Sequence, residues 1–83
     1  MKDENLAQGK IEIEREFDRL GIRLNEAQMK DFLMSIAKTH RCETIDKFYE
    51  TIGYGGILLS RIMPRIKDEY NKLKQKNEPL AEN

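Results

Sequence analysis

The chain has 83 residues, with 36% charged and 39% hydrophobic side chains and equal numbers of basic and acidic groups, 15 of each. A chain of this length forms one small domain that buries only about 60% of its unfolded surface, which excludes a large enclosed cleft. The charge-rich but neutral composition is typical of a small helical domain, and it disfavours a free-standing nucleic-acid binder.

The first helix is predicted from about Asn5 to Leu20 and ends at Gly21. Gly9 lies inside it at a cost of roughly 1 kcal/mol relative to alanine, so we expect another helix or domain to approach closely there. The outer face is almost entirely charged, which favours a solvated surface over a binding face. The apolar residues recur at helical spacing along one stripe: Leu6, Ile13, Phe17 and Leu20.

The second helix is predicted from Glu26 to about Thr39, because Asn25 and Gln28 form the pattern of a capping box. Its apolar face consists of Met29, Phe32, Leu33, Ile36 and Ala37. After a polar connector, Thr44 is expected to cap a short third helix over residues 45–52. This helix places four apolar residues inward: Ile45, Phe48, Tyr49 and Ile52. Because it is too short to be stable alone, it depends on packing against the second and fourth helices.

The fourth helix is predicted to end near Lys76, and residues 77–83 are expected to form a disordered tail. Pro64 interrupts the helical pattern. Either the helix bends there, or a turn ends at Met63 and a new helix begins; we favour one continuous, bent helix. Its apolar residues are Leu59, Ile62, Met63, Ile66, Tyr70 and Leu73. The sequence therefore predicts an all-α bundle of about four helices, with a single domain over residues 5–76.

A glycine-rich turn separates the third and fourth helices, with Gly53, Gly55 and Gly56 lying within four residues. Gly53 follows the last apolar position of the third helix, so we expect it to take the left-handed cap conformation. Gly55 and Gly56 are expected to permit a second tight reversal. This turn would fix the direction of the last helix relative to the others.

The segment Tyr49–Ile57, together with Phe32–Lys38, Gly9 and Arg19–Gly21, resembles the helical domain in the regulatory C-terminal half of long RelA/SpoT-type proteins. The similarity covers residues 5–70. In that family the region follows a TGS domain and precedes zinc-finger or Cys-rich and ACT-type domains. The resemblance implies that both catalytic domains of the parent protein lie outside this chain.

The resemblance further implies a non-catalytic regulatory module of the bacterial stringent response, whose parent is a GTP pyrophosphokinase and/or (p)ppGpp pyrophosphohydrolase. Such a module positions the regulatory half on the ribosome and uncharged tRNA, or against the catalytic half. Its implied partners are other domains of the same chain, the ribosome and tRNA. Relatives tend to have a polar helix cap such as serine after the glycine turn, whereas this chain has Leu58, with Ser60 two residues later. If Leu58 is uncovered, we interpret it as an apolar contact for a neighbouring domain.

Basic residues concentrate in the last helix, because residues 58–83 carry six basic and four acidic groups. One interpretation is a ridge that contacts RNA phosphates. The alternative is a solvated, lysine-rich helix end that complements its own dipole, and composition slightly favours it. The candidate contact residues are Tyr54, Arg61, Arg65 and Lys67.

Catalysis and metal binding are not predicted, because His40 is the only histidine and Cys42 the only cysteine. These residues cannot form a disulfide, a four-ligand zinc site or an acid/base pair of histidines. We interpret Cys42 as a half-buried apolar residue rather than a reactive thiol, and we expect no cofactor. The third helix offers only Lys47 as a basic residue, which argues against helix-turn-helix DNA binding.

No apolar run approaches the roughly 20 residues of a membrane span, and residues 1–5 lack the apolar segment of a signal peptide. We therefore expect a cytoplasmic protein without membrane contact. Two competing functions stay open. One is a structural spacer or protein-interaction module in which the basic helix end has no role, and the other is a self-associating helical bundle.

Overall fold

Four helices follow one another in the computed structural model: α1 (Lys2–Leu20), α2 (Glu26–Thr39), α3 (Ile45–Gly53) and α4 (Leu59–Glu82). The structure describes the backbone of residues 2–82 and the side chains of residues 3–75. No strand occurs within that backbone, so the predicted all-α bundle is confirmed. The backbone of residues 77–82 belongs to α4, and the predicted disorder of residues 77–83 stays a prediction.

The predicted helix boundaries agree with the observed ones for α2 and within three residues for α1 and α3, whereas the predicted end of α4 near Lys76 is wrong, because the helix continues to Glu82. Both ends of α2 lie at the predicted residues, whereas α1 begins at Lys2 rather than Asn5 and α3 runs on to Gly53. Helix α4 is continuous through Pro64, so the proline does not split it into two helices. Pro64 is exposed. Pro64 is the sixth residue of α4, past the first turn, so it removes one intrahelical hydrogen bond, the one that an amide there would donate to the Ser60 carbonyl.

Side chains cap the starts of α2 and α3 as the sequence predicts. Asn25 Oδ1 accepts a hydrogen bond from the Gln28 amide at 2.8 Å, and the Asn25 amide donates to Gln28 Oε1 at 3.1 Å. The Thr44 hydroxyl accepts from the Lys47 amide at 3.0 Å. These bonds satisfy amides that have no partner inside the helix, so they define where each helix begins.

The first three helices each end in a Schellman motif, which requires one residue in the left-handed conformation after the helix. Gly21 (φ +72°) and Gly55 (φ +88°) occupy that position after α1 and α3, whereas α2 uses Arg41 at φ +62°. The prediction that Gly53 is the left-handed cap is therefore wrong. Gly55 has that role, because its amide and that of Gly56 donate to the carbonyls of Ile52 and Thr51 at 3.1 and 2.9 Å.

The core combines the inner faces of all four helices with Ile22 from the loop between α1 and α2. Phe48 is fully enclosed at its centre, and the rings of Phe17 and Phe32 lie 6.1 Å apart. Cys42 is fully buried, deeper than the half-buried position predicted for it. The buried residues are Ile13, Phe17, Ile22, Phe32, Leu33, Ile36, Ala37, Cys42, Phe48, Tyr49, Ile52, Leu59, Met63, Ile66 and Tyr70.

Helices α1 and α3 form the closest packing in the bundle, and two glycines make it possible. A Cβ atom built on Gly9 would overlap the carbonyl oxygen of Tyr49 and lie 2.6 Å from its carbonyl carbon. A Cβ on Gly53 would likewise overlap the carbonyl oxygen of Asn5 and lie 2.6 Å from that carbonyl carbon. Gly9 thus packs on the residue one turn before Gly53, and Gly53 packs on the residue one turn before Gly9. The close approach predicted at Gly9 is present, and Gly53 is required for the same contact.

Candidate interaction surfaces

The glycine turn presents two large apolar side chains to solvent. Tyr54 and Leu58 are each 56% exposed, on either side of Gly55 and Gly56. Their backbone is anchored on both sides, because Ile52 before the turn and Leu59 after it are buried. The Schellman bonds at the end of α3 order the residues between them. Leu58 is therefore an exposed apolar residue on a fixed segment of backbone.

A shallow concavity of about 630 Å³ lies between this turn and the side of α1. Gln8, Glu12, Arg15 and Glu16 form its α1 wall, and Tyr54, Ile57 and Leu58 lie among the residues of the turn side. Two interactions organise the wall. Gln8 Nε2 donates to Glu12 at 2.9 Å, and Arg19 donates to Glu16 at 2.7 Å. That hydrogen bond from Arg19 holds the pKa of Glu16 below its usual value.

The predicted basic contact residues divide into two groups in the structure. Arg61 and Arg65 are exposed and lie one turn apart on α4, so their guanidinium groups share one face of the helix. Neither side chain forms an ion pair with any of residues 3–75. Lys72, almost two turns beyond Arg65, pairs with Asp68 at 3.6 Å. Arg61 and Arg65 are therefore available to a partner.

Lys67 points to the other side of α4 and has a structural contact. Its Nζ donates to the carbonyl oxygen of Leu20 at 3.1 Å, at the end of α1, and lies 5.7 Å from the centre of the Tyr70 ring. The Tyr70 hydroxyl in turn accepts a hydrogen bond from the Arg23 amide at 3.3 Å. These contacts attach α4 to the end of α1 and the loop after it. The structure thus separates Lys67 from the two arginines predicted with it.

A second groove, of about 1060 Å³, lies between α2 and α4. Buried Phe32, Ile36 and Ile66 lie at its base. Its rims carry charges of both signs, with Asp31 on α2 and Arg65 on α4 as examples. This mixture does not select a class of ligand.

Residues 3–75 contain no group of three or more acidic, histidine or cysteine side chains that could hold a metal ion. His40 stacks on Phe48 with ring centres 6.1 Å apart, at the end of α2. Burial raises the pKa of the Tyr49 hydroxyl, and the nearby carboxylates of Glu14 and Asp46 raise it further. Tyr49 belongs to the core, where its backbone carbonyl packs against Gly9.

None of the helices, within the part of the chain that the structure describes, is long and apolar enough to cross a membrane. The described residues form a small all-helical module that exposes the apolar turn beside α1 and the arginine face of α4. The fold places the chain in the class of small all-α domains.

The chain matches the RelA/SpoT AH domain family over residues 1–67. It therefore belongs to that family and is a helical domain of RelA/SpoT-type proteins, as the resemblance of its glycine turn implies. No curated protein and no solved structure matches it.

Two parts of these surfaces have no signal in the sequence. The α1 wall was interpreted as solvated, because a helix face rich in both charges gives no indication of which carboxylates border an apolar turn. The bond from Lys67 to Leu20 joins residues 47 positions apart, so local pattern cannot predict it. Leu58 did have a signal, since an apolar residue at the start of a helix departs from the usual polar cap.

Proposed function

We propose that this chain is a non-catalytic regulatory module of a RelA/SpoT-type alarmone synthetase/hydrolase, acting in the bacterial stringent response in the cytoplasm. Its role is to position the regulatory half of the parent protein on the ribosome and uncharged tRNA. The parent is a GTP pyrophosphokinase and/or (p)ppGpp pyrophosphohydrolase whose catalytic domains lie elsewhere. Membership of the AH domain family supports the module assignment.

The RNA contact is assigned to the arginine face of α4, which is the observation that carries the proposal. Arg61 and Arg65 are exposed, share one face and form no ion pair within residues 3–75. Arginine recognises phosphate through two parallel hydrogen bonds, and its guanidinium group is always charged at physiological pH. An unpaired arginine doublet on a rigid helix therefore suits a phosphate backbone better than the paired lysines of the same helix do.

A second candidate is contact with another domain of the parent chain, with no RNA involved. The exposed apolar side chains of Tyr54 and Leu58 favour it, because apolar residues on an ordered turn mark protein contacts more often than phosphate contacts. In this case the module relays ribosome binding to the catalytic half. The two candidates place the contact on different residues, so substitutions can separate them.

The test is binding of ribosomes with deacylated tRNA by the full parent protein, measured over a range of salt concentrations. Arg61→Glu with Arg65→Glu should weaken binding and flatten the salt dependence. Two lost phosphate contacts lower the slope of log K against log salt by about 1.4–1.8. The matched control is Lys30→Glu with Lys38→Glu, which makes the same charge change at exposed positions of α2.

Equal loss in both double variants would show a general charge effect and no contact at α4. Unchanged ribosome binding in both double variants, with altered alarmone synthesis or hydrolysis in a Leu58→Ser variant, would support the contact between domains instead. Circular dichroism of each variant checks that the four helices are intact.

A further inference from the structure

Leu58 lies where a polar residue would stabilise the fold. It immediately precedes α4, and its carbonyl oxygen accepts a hydrogen bond from the Arg61 amide at 3.0 Å, so it occupies the capping position of that helix. Serine, threonine, aspartate and asparagine are preferred there, because their side chains accept bonds from the first amides of the helix. Leucine gives no such bond and is 56% exposed. The fold therefore gains less from leucine here than a capping side chain would give.

Within residues 3–75, two of the three exposed large apolar side chains lie at the concavity beside α1. Among residues 3–75, the exposed large apolar side chains are Ile11, Tyr54 and Leu58. Tyr54 and Leu58 line the concavity directly. Ile11 lies on α1 at helical spacing from Gln8 and Arg15, which belong to the α1 wall, so it borders the outer edge of the same surface. Clustering of this kind is typical of an interface rather than of scattered surface residues.

The charge of the α1 wall indicates what covers this surface. Glu12 is half-buried, accepts a hydrogen bond from Gln8 and forms no ion pair with any of residues 3–75. Glu16, one turn further along, is paired with Arg19 at 2.7 Å, so Glu12 is the carboxylate of the wall that has no ion pair within residues 3–75. The wall also contains Arg15, which is exposed. A half-buried carboxylate beside an apolar patch repels phosphate and attracts a lysine or arginine of a partner.

We propose that the concavity formed by the α1 wall and the turn at Tyr54–Leu58 is a docking site for an amphipathic protein helix. The apolar stripe of that helix covers Tyr54 and Leu58, and a basic residue at its edge pairs with Glu12. Helices dock in this way through apolar residues at i, i+3 or i+4 spacing. The site does not overlap Arg61 and Arg65, so it does not depend on the proposed RNA contact.

The test uses three synthetic helical peptides with one leucine stripe, flanked by lysines, by glutamates or by glutamines. Each is titrated into the full 83-residue chain labelled with ¹⁵N, and amide chemical shifts report both the affinity and the site. We expect the lysine-flanked peptide to bind about tenfold more tightly than the glutamate-flanked one, with the largest shifts at Tyr54, Leu58 and the α1 wall.

Variants separate the site from the fold. Leu58→Ser should weaken binding of the lysine-flanked peptide about tenfold. It should not lower the melting temperature, because serine caps α4. Leu58→Met should keep the affinity for the peptide. Glu12→Gln should reduce the preference for the lysine-flanked peptide.

Four results would each overturn the proposal. They are equal binding of the three peptides, largest shifts in the groove between α2 and α4, no shifts at about 1 mM peptide, and larger shifts at Tyr54 and Leu58 with tRNA than with peptide. Failure of this test leaves the arginine double variant unaffected, so the two proposals can fail separately.

Discussion

Replacing Gly9 with alanine should destabilise the domain, although the same change stabilises most helices. Alanine gains about 1 kcal/mol over glycine in an exposed helix interior. At Gly9, however, the new methyl group would overlap the Tyr49 carbonyl oxygen and lie 2.6 Å from its carbon. Backbone atoms inside a helix cannot rotate away as a side chain can. Helix α1 must therefore move away from α3, which opens the tightest part of the core.

The expected net loss follows from these two opposing effects. Overpacking a well-packed core costs typically 1–3 kcal/mol. The cost at Gly9 lies at or above the upper end of that range, because the methyl group on α1 would meet the backbone of α3 rather than a movable side chain. After subtracting the gain in helix propensity, we expect Gly9→Ala to lower the free energy of unfolding by about 2 kcal/mol. A domain of this size loses about 4–8 °C of melting temperature per kcal/mol, so the shift is roughly 10 °C.

Gly53→Ala should cause a similar loss, because its methyl group would meet the Asn5 carbonyl in the same way. One outward movement of α1 relieves both overlaps, so the double variant should lose clearly less than the sum of the single losses. Gly55→Ala is the control, since no atom lies within 4 Å of its Cβ position and only its left-handed φ of +88° opposes alanine. Urea unfolding followed by circular dichroism measures all four. A stabilised Gly9→Ala protein, or strictly additive losses, would refute the close helix crossing.

Three further predictions concern single side chains. Arg41→Gly should stabilise the domain by about 1 kcal/mol in urea unfolding, because Arg41 holds φ at +62°, where an L-residue is strained and glycine is not; a loss of stability would contradict this conformation. Lys67→Met should lower the free energy of unfolding by about 1–2 kcal/mol, because it removes the bond to Leu20 and the contact with Tyr70. The control Lys72→Met should lower it by less than about 0.5 kcal/mol, since it removes only a surface ion pair. Equal losses would show that the bond from Lys67 to Leu20 does not stabilise the fold. The raised pKa of Tyr49 means that the folded state keeps its proton while the unfolded state loses it, so stability is lost as pH rises above about 10. Tyr49→Phe should make the fall in melting temperature between pH 9 and 11 smaller, and an unchanged fall would show that Tyr49 does not contribute to it.

The helices were predictable because their signals are local. The capping box at Asn25 and the cap at Thr44 lie within three residues of the amides they bond, so sequence alone places the starts of α2 and α3. Gly9 was predictable as an anomaly, since a glycine in a helix needs a reason. The apolar spacing of each helix likewise identified the inner faces.

The roles of other residues depend on contacts between distant segments. The sequence cannot distinguish the roles of Gly53 and Gly55, because a positive φ and a close helix approach both select glycine. Only the structure shows that Gly55 takes the positive φ and Gly53 the close approach. Arg41 gives no sequence signal for its φ, because its conformation follows from the Schellman motif that ends α2.

The candidate surfaces were predictable only where the signal is local. Leu58 was identified as a departure at a capping position, and the basic residues of α4 were identified by composition. The division of Lys67 from Arg61 and Arg65 required knowing which face of α4 packs against the end of α1. Two residues along a helix turn a side chain by about 200°, so Lys67 lies opposite Arg65 and a basic run in sequence need not be one surface.

We propose that the arginine face of α4 lies against RNA in the parent protein. Asp68 is exposed on α4 and lies one turn beyond Arg65, so a photoreactive amino acid at that position would report what lies against this face. The same amino acid at exposed Ala27 on α2 is the control. After irradiation of the parent bound to ribosomes with deacylated tRNA, we expect a nuclease-sensitive crosslink to tRNA or ribosomal RNA from position 68 and none from position 27. Crosslinks from position 68 to protein alone would contradict the claim.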